Sequence, residues 1–184
     1  MHQQHPELRF ELSALSSEHI LEQLASNQLD IGVSYLDRLD HERFDSLALG
    51  ITRMGLLYDQ RHFNFGEQPL SWEALIELPL GLLSGGMHFR QSIDHNFHSR
   101  GLTPRPLLQT DAVHQLLQAV HAGLCCAVMP LEGGLEALTD TLRLHPIEDA
   151  QTLAQLGLIM RREAPRSALA EACFALFQKS LSPS

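Results

Sequence analysis

A chain of 184 residues with 44% hydrophobic and 19% charged residues has enough apolar material for one ordinary core or two small lobes, and no polar tract long enough for a disordered tail. Its 13 basic against 22 acidic residues give a net charge of -9. That balance opposes binding of phosphate backbones by the chain as a whole, so any nucleic-acid contact belongs to another part of the protein.

The elements alternate between strand and helix. Leu8, Phe10 and Leu12 alternate with Arg9, Glu11 and Ser13, the period-two signature of a strand with one wet face. Ser16-Ser17 caps a helix with Ile20, Leu21 and Leu24 on one stripe, and Asn27 suits the left-handed turn that ends it. Leu29-Asp30-Ile31-Gly32-Val33 is a second strand. This strand-helix-strand order predicts a parallel pair with a right-handed crossover. After the polar stretch Asp37 to Asp45, Met54 to Tyr58 reads as a strand, and Ser71 caps a helix with Glu73 in its first turn.

From Leu80 the pattern repeats. A short apolar strand, Leu80 to Leu83, runs into Ser84-Gly85-Gly86, and the next helix carries Phe89, Ile93 and Phe97 before Gly101. A strand over Pro106 to Gln109 precedes a helix with Val113, Leu116, Leu117 and Val120 on one face, ended by Gly123. Cys125 to Met129 is continuously apolar, as a strand covered on both faces would be, and Pro130 closes it. Leu142 to Ile147 and Leu156 to Met160 are short strand candidates. A last helix holds Leu169, Cys173, Leu176 and Phe177. The fold class is therefore α/β.

Leu29-Asp30-Ile31-Gly32-Val33 resembles the Leu-Asp-Leu-Ala-Ile segment of the effector domain of LysR-type transcriptional regulators, and Ala122-Gly123-Leu124-Cys125 through Pro130 resembles that family's Ala-Gly-Leu-Gly, apolar strand and closing Pro. Ile93 to Pro104 matches the helix, Gly and Pro between them. The resemblance covers essentially the whole chain, through the order and spacing of these segments. It implies a two-lobed periplasmic-binding-protein-like (type 2) fold, each lobe a doubly wound mixed sheet. The first lobe is expected over residues 1–51 and 156–184 and the second over 52–155.

Members of the family carry an N-terminal winged helix-turn-helix, a linker helix and a first effector-domain strand, and this sequence begins after all three. The first lobe is thus expected to lack a central strand and to have unpaired backbone groups in its place. Cys125 stands where the family usually has Gly, which narrows the space around that turn. The resemblance further implies a small-molecule effector, self-association as a dimer within a tetramer, and promoter DNA bound only through the absent N-terminal domain. It implies neither a cofactor nor an enzymatic activity.

In such folds ligands bind beyond the carboxyl ends of strands, where helix N-termini converge. The lining expected by that rule is Ser16, Ser17, Ser34, Ser84, Gly85, Gly86 and Thr110, which suits a small polar or anionic metabolite. Ordinary capping explains Ser17, Thr110 and Asp111 equally well. His88 and Arg90 would add positive charge for a carboxylate, or sit on the rim in water. Asp94, His95 and His98 have the spacing to share a metal ion on one helix face, but they flank a buried face and are read as solvated, with His114 and His121 a weaker stripe; no metal is expected.

Cys125, Cys126 and Cys173 form no disulfide framework or zinc pattern and are expected as reduced, buried thiols; a redox role for the adjacent pair stays open. No nucleophile elbow or phosphate loop is present. The start Met1-His2-Gln3-Gln4-His5-Pro6 has no signal-peptide pattern and no apolar run reaches membrane-spanning length, so a cytoplasmic location without membrane contact is expected. The alternative from another class is a solute-binding protein of a transport system with the same fold.

Overall fold

A computed structural model describes residues 9–37, 39–85, 87–131 and 139–181, with backbone alone at 151–154, 180 and 181. Its six strands are β1 (Gly32–Tyr35), β2 (Phe44–Asp59), β3 (Leu80–Leu83), β4 (Leu108–Thr110), β5 (Cys126–Pro130) and β6 (Leu142–Arg161). The described helices are α1 (Ser17–Ala25), α2 (Trp72–Ile76), α3 (His88–His98), α4 (Val113–His121) and α5 (Ala168–Leu181). The strands form one mixed sheet in the order β1-β6-β2-β5-β3-β4.

Two of these strands are far longer than their sequence signals. Met54 to Tyr58 is only the buried end of the 16-residue β2. The two candidates Leu142–Ile147 and Leu156–Met160 are the ends of a single 20-residue β6. β2 and β6 pair antiparallel from Phe44↔Arg161 to Asp59↔Leu142, with register shifts between Ala48 and Gly55. In the middle of β2 Leu47, Leu49 and Ile51 alternate with Ala48, Gly50 and Thr52, a period-two signal the sequence reading passed over, although Leu49 and Ile51 stay exposed.

Two cores lie along that ribbon. The larger gathers Met54, Leu56, Leu57, Trp72, Leu80, Leu82, Ile93, Phe97, Leu116, Val120 and Val128. The smaller holds Leu24, Leu39, Phe44 and Ile159, with Ile20, Leu21, Leu29 and Leu36 against it. In the larger unit β3 pairs parallel with both β4 and β5, as the βαβ pattern predicts. Phe89, Ile93 and Phe97 are buried along α3, and Trp72 meets Phe97 edge-on at 4.8 Å.

The first unit departs from expectation. Residues 9–13 form no strand, and Leu8 lies outside the described residues. Phe10 and Leu12 are 61% and 92% exposed. A strand alternation needs a neighbouring ladder before it becomes a strand, and β1, at the end of the sheet, is bonded to β6 alone. The predicted parallel pair is therefore replaced by an antiparallel one, Gly32↔Ile159 to Tyr35↔Leu156. Among the described side chains of α5, Ala170 and Cys173 are buried, while Leu169, Leu176 and Phe177 stay exposed.

Helix ends follow their sequence cues. Ser16 rather than Ser17 is the N-cap of α1, accepting a hydrogen bond from the His19 N–H. Ser71 accepts likewise from Ala74, and Asn27 takes φ 61° just past α1. Cys125 finds its space against a glycine: a Cβ at Gly81 would lie 2.7 Å from the Cys125 Sγ and 2.7 Å from Leu116 Cδ1. The bulkier residue at the turn is accommodated because the facing strand has no side chain there.

Candidate functional site

The carboxyl end of β1 and the first turn of α3 meet, although they belong to different cores. The Tyr35 and His88 rings stack with centroids 4.0 Å apart and planes 15° off parallel. On the outer side His88 Nε2 lies 3.1 and 3.2 Å from Asp37 Oδ1 and Oδ2. Tyr35 and Ser34 point to opposite faces of β1, and Ser34 faces the α1 side with Gly32. Burial raises the Tyr35 phenol above its ordinary pKa, so the ring meets His88 as a neutral surface.

Two polar atoms here stand out. Ser34 is 3% exposed, and neither its Oγ nor His88 Nδ1 makes a hydrogen bond among the described residues. A buried polar atom without a partner costs about 1–3 kcal/mol, so such atoms mark places where a partner from outside would be gained rather than exchanged.

The other expected residues divide. Ser84 continues β3: its N–H donates to the Thr110 carbonyl, and its own carbonyl accepts from Met87. It stands at the approach to α3 with exposed Gly85 beside it, while Gly86 lies outside the described residues. Ser16 is exposed and occupied with His19, its Oγ 2.9 Å from Nδ1; Ser17 is half-buried in the first turn of α1. Thr110 Oγ1 accepts from the Ala112 N–H and donates to Gln115 Oε1, which is the capping alternative.

Arg90 is buried and its guanidinium is engaged, donating to Asp94 Oδ1 at 2.8 Å, to the Leu83 carbonyl and to Gln109 Oε1. It ties α3 to the ends of β3 and β4. Asp94 is thereby held by Arg90, and His95 and His98 are exposed. Among the described residues no group of three or more His, Cys, Asp or Glu side chains is placed to hold a metal ion.

The three cysteines are buried and in no disulfide among the described residues. Burial, with Cys125 as a lesser contributor, pushes the Cys126 thiol up to about 12. Sequence reasoning missed Tyr35 and Asp37. Asp37 reads as the start of a polar stretch, and nothing local signals a partner 51 residues away.

A second polar cluster sits at the far end of β2. The Asp59 carboxylate is fully buried and receives Arg61 Nε at 2.9 Å, Arg61 Nη2 at 2.8 Å, the Arg61 N–H at 2.9 Å and Thr141 Oγ1 at 2.7 Å. His121 Nδ1 lies 3.0 Å from Oδ2. Hydrogen bonding from Arg61 outweighs desolvation and holds this carboxyl well below the usual carboxylate range. Thr141 and His121 bring the turn 139–141 and the end of α4 onto this carboxylate, so the cluster fastens the second unit.

The family described as LysR substrate binding domain matches residues 1–182. Among solved structures, HinK, a LysR family transcriptional regulator from Pseudomonas aeruginosa, is similar at 17% identity and TM-score 0.78, over 98% of this chain and 63% of its own. The Synechocystis CcmR regulatory domain in complex with 2-PG is similar at 14% identity and TM-score 0.78, over 97% of this chain and 86% of its own. The BenM effector binding domain with its effector benzoate is similar at 19% identity and TM-score 0.72, over 99% of this chain and 85% of its own. The chain thus spans less than two thirds of HinK but most of the isolated domains. With the family match running nearly end to end, this chain belongs to the LysR substrate-binding-domain family.

Proposed function

We propose that this chain is the effector-binding regulatory domain of a LysR-type transcriptional regulator, binding a small polar or anionic metabolite between two lobes without transforming it. The lobes are residues 1–51 with 156–184, and 52–155. What supports the division is the pair of separate cores joined by β2 and β6. The observation that carries the functional reading is the meeting of the β1 end with the α3 N-terminus, where His88 Nδ1, and on the other face of β1 the Ser34 Oγ, are buried without a hydrogen bond among the described residues. Ser34 and His88 are the central ligand residues of this reading, and Ser16, Ser17, Ser84, Gly85, Gly86 and Thr110 are its further candidates, Gly86 lying outside the described residues. Arg90 supports the α3 start from behind.

A ligand with different affinities for two lobe arrangements shifts their populations, and a DNA-binding module elsewhere in the regulator reads the shift. A net charge of -9 fits a domain that leaves promoter contact to that module. Among the described residues no helix is long and apolar enough to cross a membrane. The parent regulator works in the cytoplasm as a dimer within a tetramer. The family match favours this reading over the transport alternative, which shares only the fold.

The test is a thermal-shift and NMR screen with small carboxylates, phosphates and sugar acids. A true effector at about 100 times its Kd adds roughly 2.7 kcal/mol of stability and raises the unfolding temperature by several degrees. It also moves the His88 resonances. A protein unresponsive to the whole panel defeats the proposal.

A further inference from the structure

Resting on that reading of the site, we propose that Asp37 is a built-in competitor for a carboxylate ligand at His88. An effector bearing a carboxylate binds by replacing the Asp37 oxygens on His88 Nε2, and so breaks one of the contacts that tie the β1 end to the α3 start.

The geometry fixes the class of ligand. His88 Nε2 faces two oxygens of one planar group at nearly equal distances, 3.1 and 3.2 Å, so the imidazole edge is shaped for a carboxylate. The ring is clamped flat against Tyr35 at 4.0 Å, which prevents it from turning away when the partner changes. Its side chain is 13% exposed, whereas that of Asp37 is 38% exposed. Asp37 therefore returns to water readily, while His88, held in place, goes on requiring an acceptor. Contacts with one such half-exposed partner are weak in aggregate, so a ligand has little to overcome.

A ligand also brings what Asp37 does not. Ser34 Oγ and His88 Nδ1 are buried and make no hydrogen bond among the described residues. Ser34 lies on the opposite face of β1 from Tyr35, so the atom within reach of a ligand at the ring is His88 Nδ1, where a second polar group adds a bond. Exchange then has a direction: the ligand takes over the contact at His88 Nε2 and adds one at Nδ1. Because Asp37 follows β1 and His88 opens α3, replacement exchanges a contact between the two units for a contact with the ligand. The signal is contained in the exchange.

Acetate, the simplest carboxylate, is the probe, titrated at constant ionic strength against chloride as control while the His88 ring resonances are followed by NMR; an H88Q variant assigns them. In the Asp37→Ala protein, acetate is expected to bind saturably and about tenfold or more tightly than in the wild type, moving the His88 signals toward their wild-type positions. Asp37→Asn keeps the shape, loses the charge and should fall between the two; it serves also if D37A unfolds. Equal acetate affinity in wild type and folded variants overturns the proposal, as does absence of any acetate effect on His88 in them. A metabolite that binds wild type and both variants alike leaves the effector reading standing and removes Asp37 from it. Acetate rescue without a metabolite response does the reverse.

Discussion

Replacing Asp59 with Asn isolates one buried charge in the second unit. The native carboxylate is 0% exposed and accepts both Arg61 guanidinium bonds, the Arg61 N–H and the Thr141 hydroxyl. Breaking a buried pair by removing one partner costs about 3–5 kcal/mol when the other is left buried. Here the Arg61 side chain is 49% exposed and rehydrates, and Asn keeps one acceptor oxygen, so the expected loss is nearer 2–3 kcal/mol. For a chain of this size that lowers the unfolding temperature by roughly 4–12 °C.

The pH dependence is the sharper observable. Folding holds the Asp59 carboxyl below the ordinary range, so its stabilisation is complete above the unfolded-state value of about 3.9. It is lost as pH falls from there through the lower folded-state value. Urea unfolding at intervals from pH 7 to pH 3 should show the wild type losing stability more steeply than D59N below about pH 4, so that the two curves converge. If D59N falls in parallel with the wild type through that window, the buried carboxylate is not what the cluster holds in place.

Gly81→Ala should destabilise by about 1–3 kcal/mol, because the new Cβ meets the Cys125 Sγ and Leu116 Cδ1 at 2.7 Å. Cys125→Ala removes the sulfur and should recover about 1 kcal/mol of that loss in a double-mutant cycle; additive effects would mean that the two residues do not share the space. Ser34→Ala should leave urea stability unchanged or raise it by up to about 1 kcal/mol, since it deletes a buried hydroxyl that has no hydrogen-bond partner among the described residues. A loss greater than about 1 kcal/mol would show that Ser34 has a structural role, and would weaken its assignment to the ligand.

Periodicity located elements wherever one face meets a core. Phe89, Ile93 and Phe97 identified α3 and its buried side, and the continuous apolar run ending at Pro130 identified β5. It could not decide Leu8 to Ser13, because alternation records a preference for a sheet and not the presence of a neighbour to pair with. The family resemblance supplied the fold class, which composition and spacing left at α/β. At the proposed site, the rule of strand ends and helix starts selected Ser34, Ser16 and Thr110 alike, and His88 entered with Arg90 as charge for a carboxylate; sequence cannot separate ligand groups from caps such as Ser16 and Thr110. Asp37 and Tyr35 stayed hidden, since their importance comes only from a contact across the two units.

The ribbon joining those units explains how a small exchange at His88 can matter elsewhere. From Ala48 to Arg53 no residue of β2 is buried, and Leu49 and Ile51 stand exposed. The three shifts of register against β6 all fall between Ala48 and Gly55, and Gly50 takes φ 124°, a conformation open to glycine without strain. Bending this stretch distorts ladder hydrogen bonds and disturbs no buried residue of β2, whereas bending either flanking core would open close-packed contacts. In the two-lobed reading proposed above, this is where deformation between the lobes would concentrate. Contacts between the units, such as Tyr35 on His88 and Asp37 on Nε2, then set which arrangement prevails. A ligand able to rewrite them needs to act on only a few atoms.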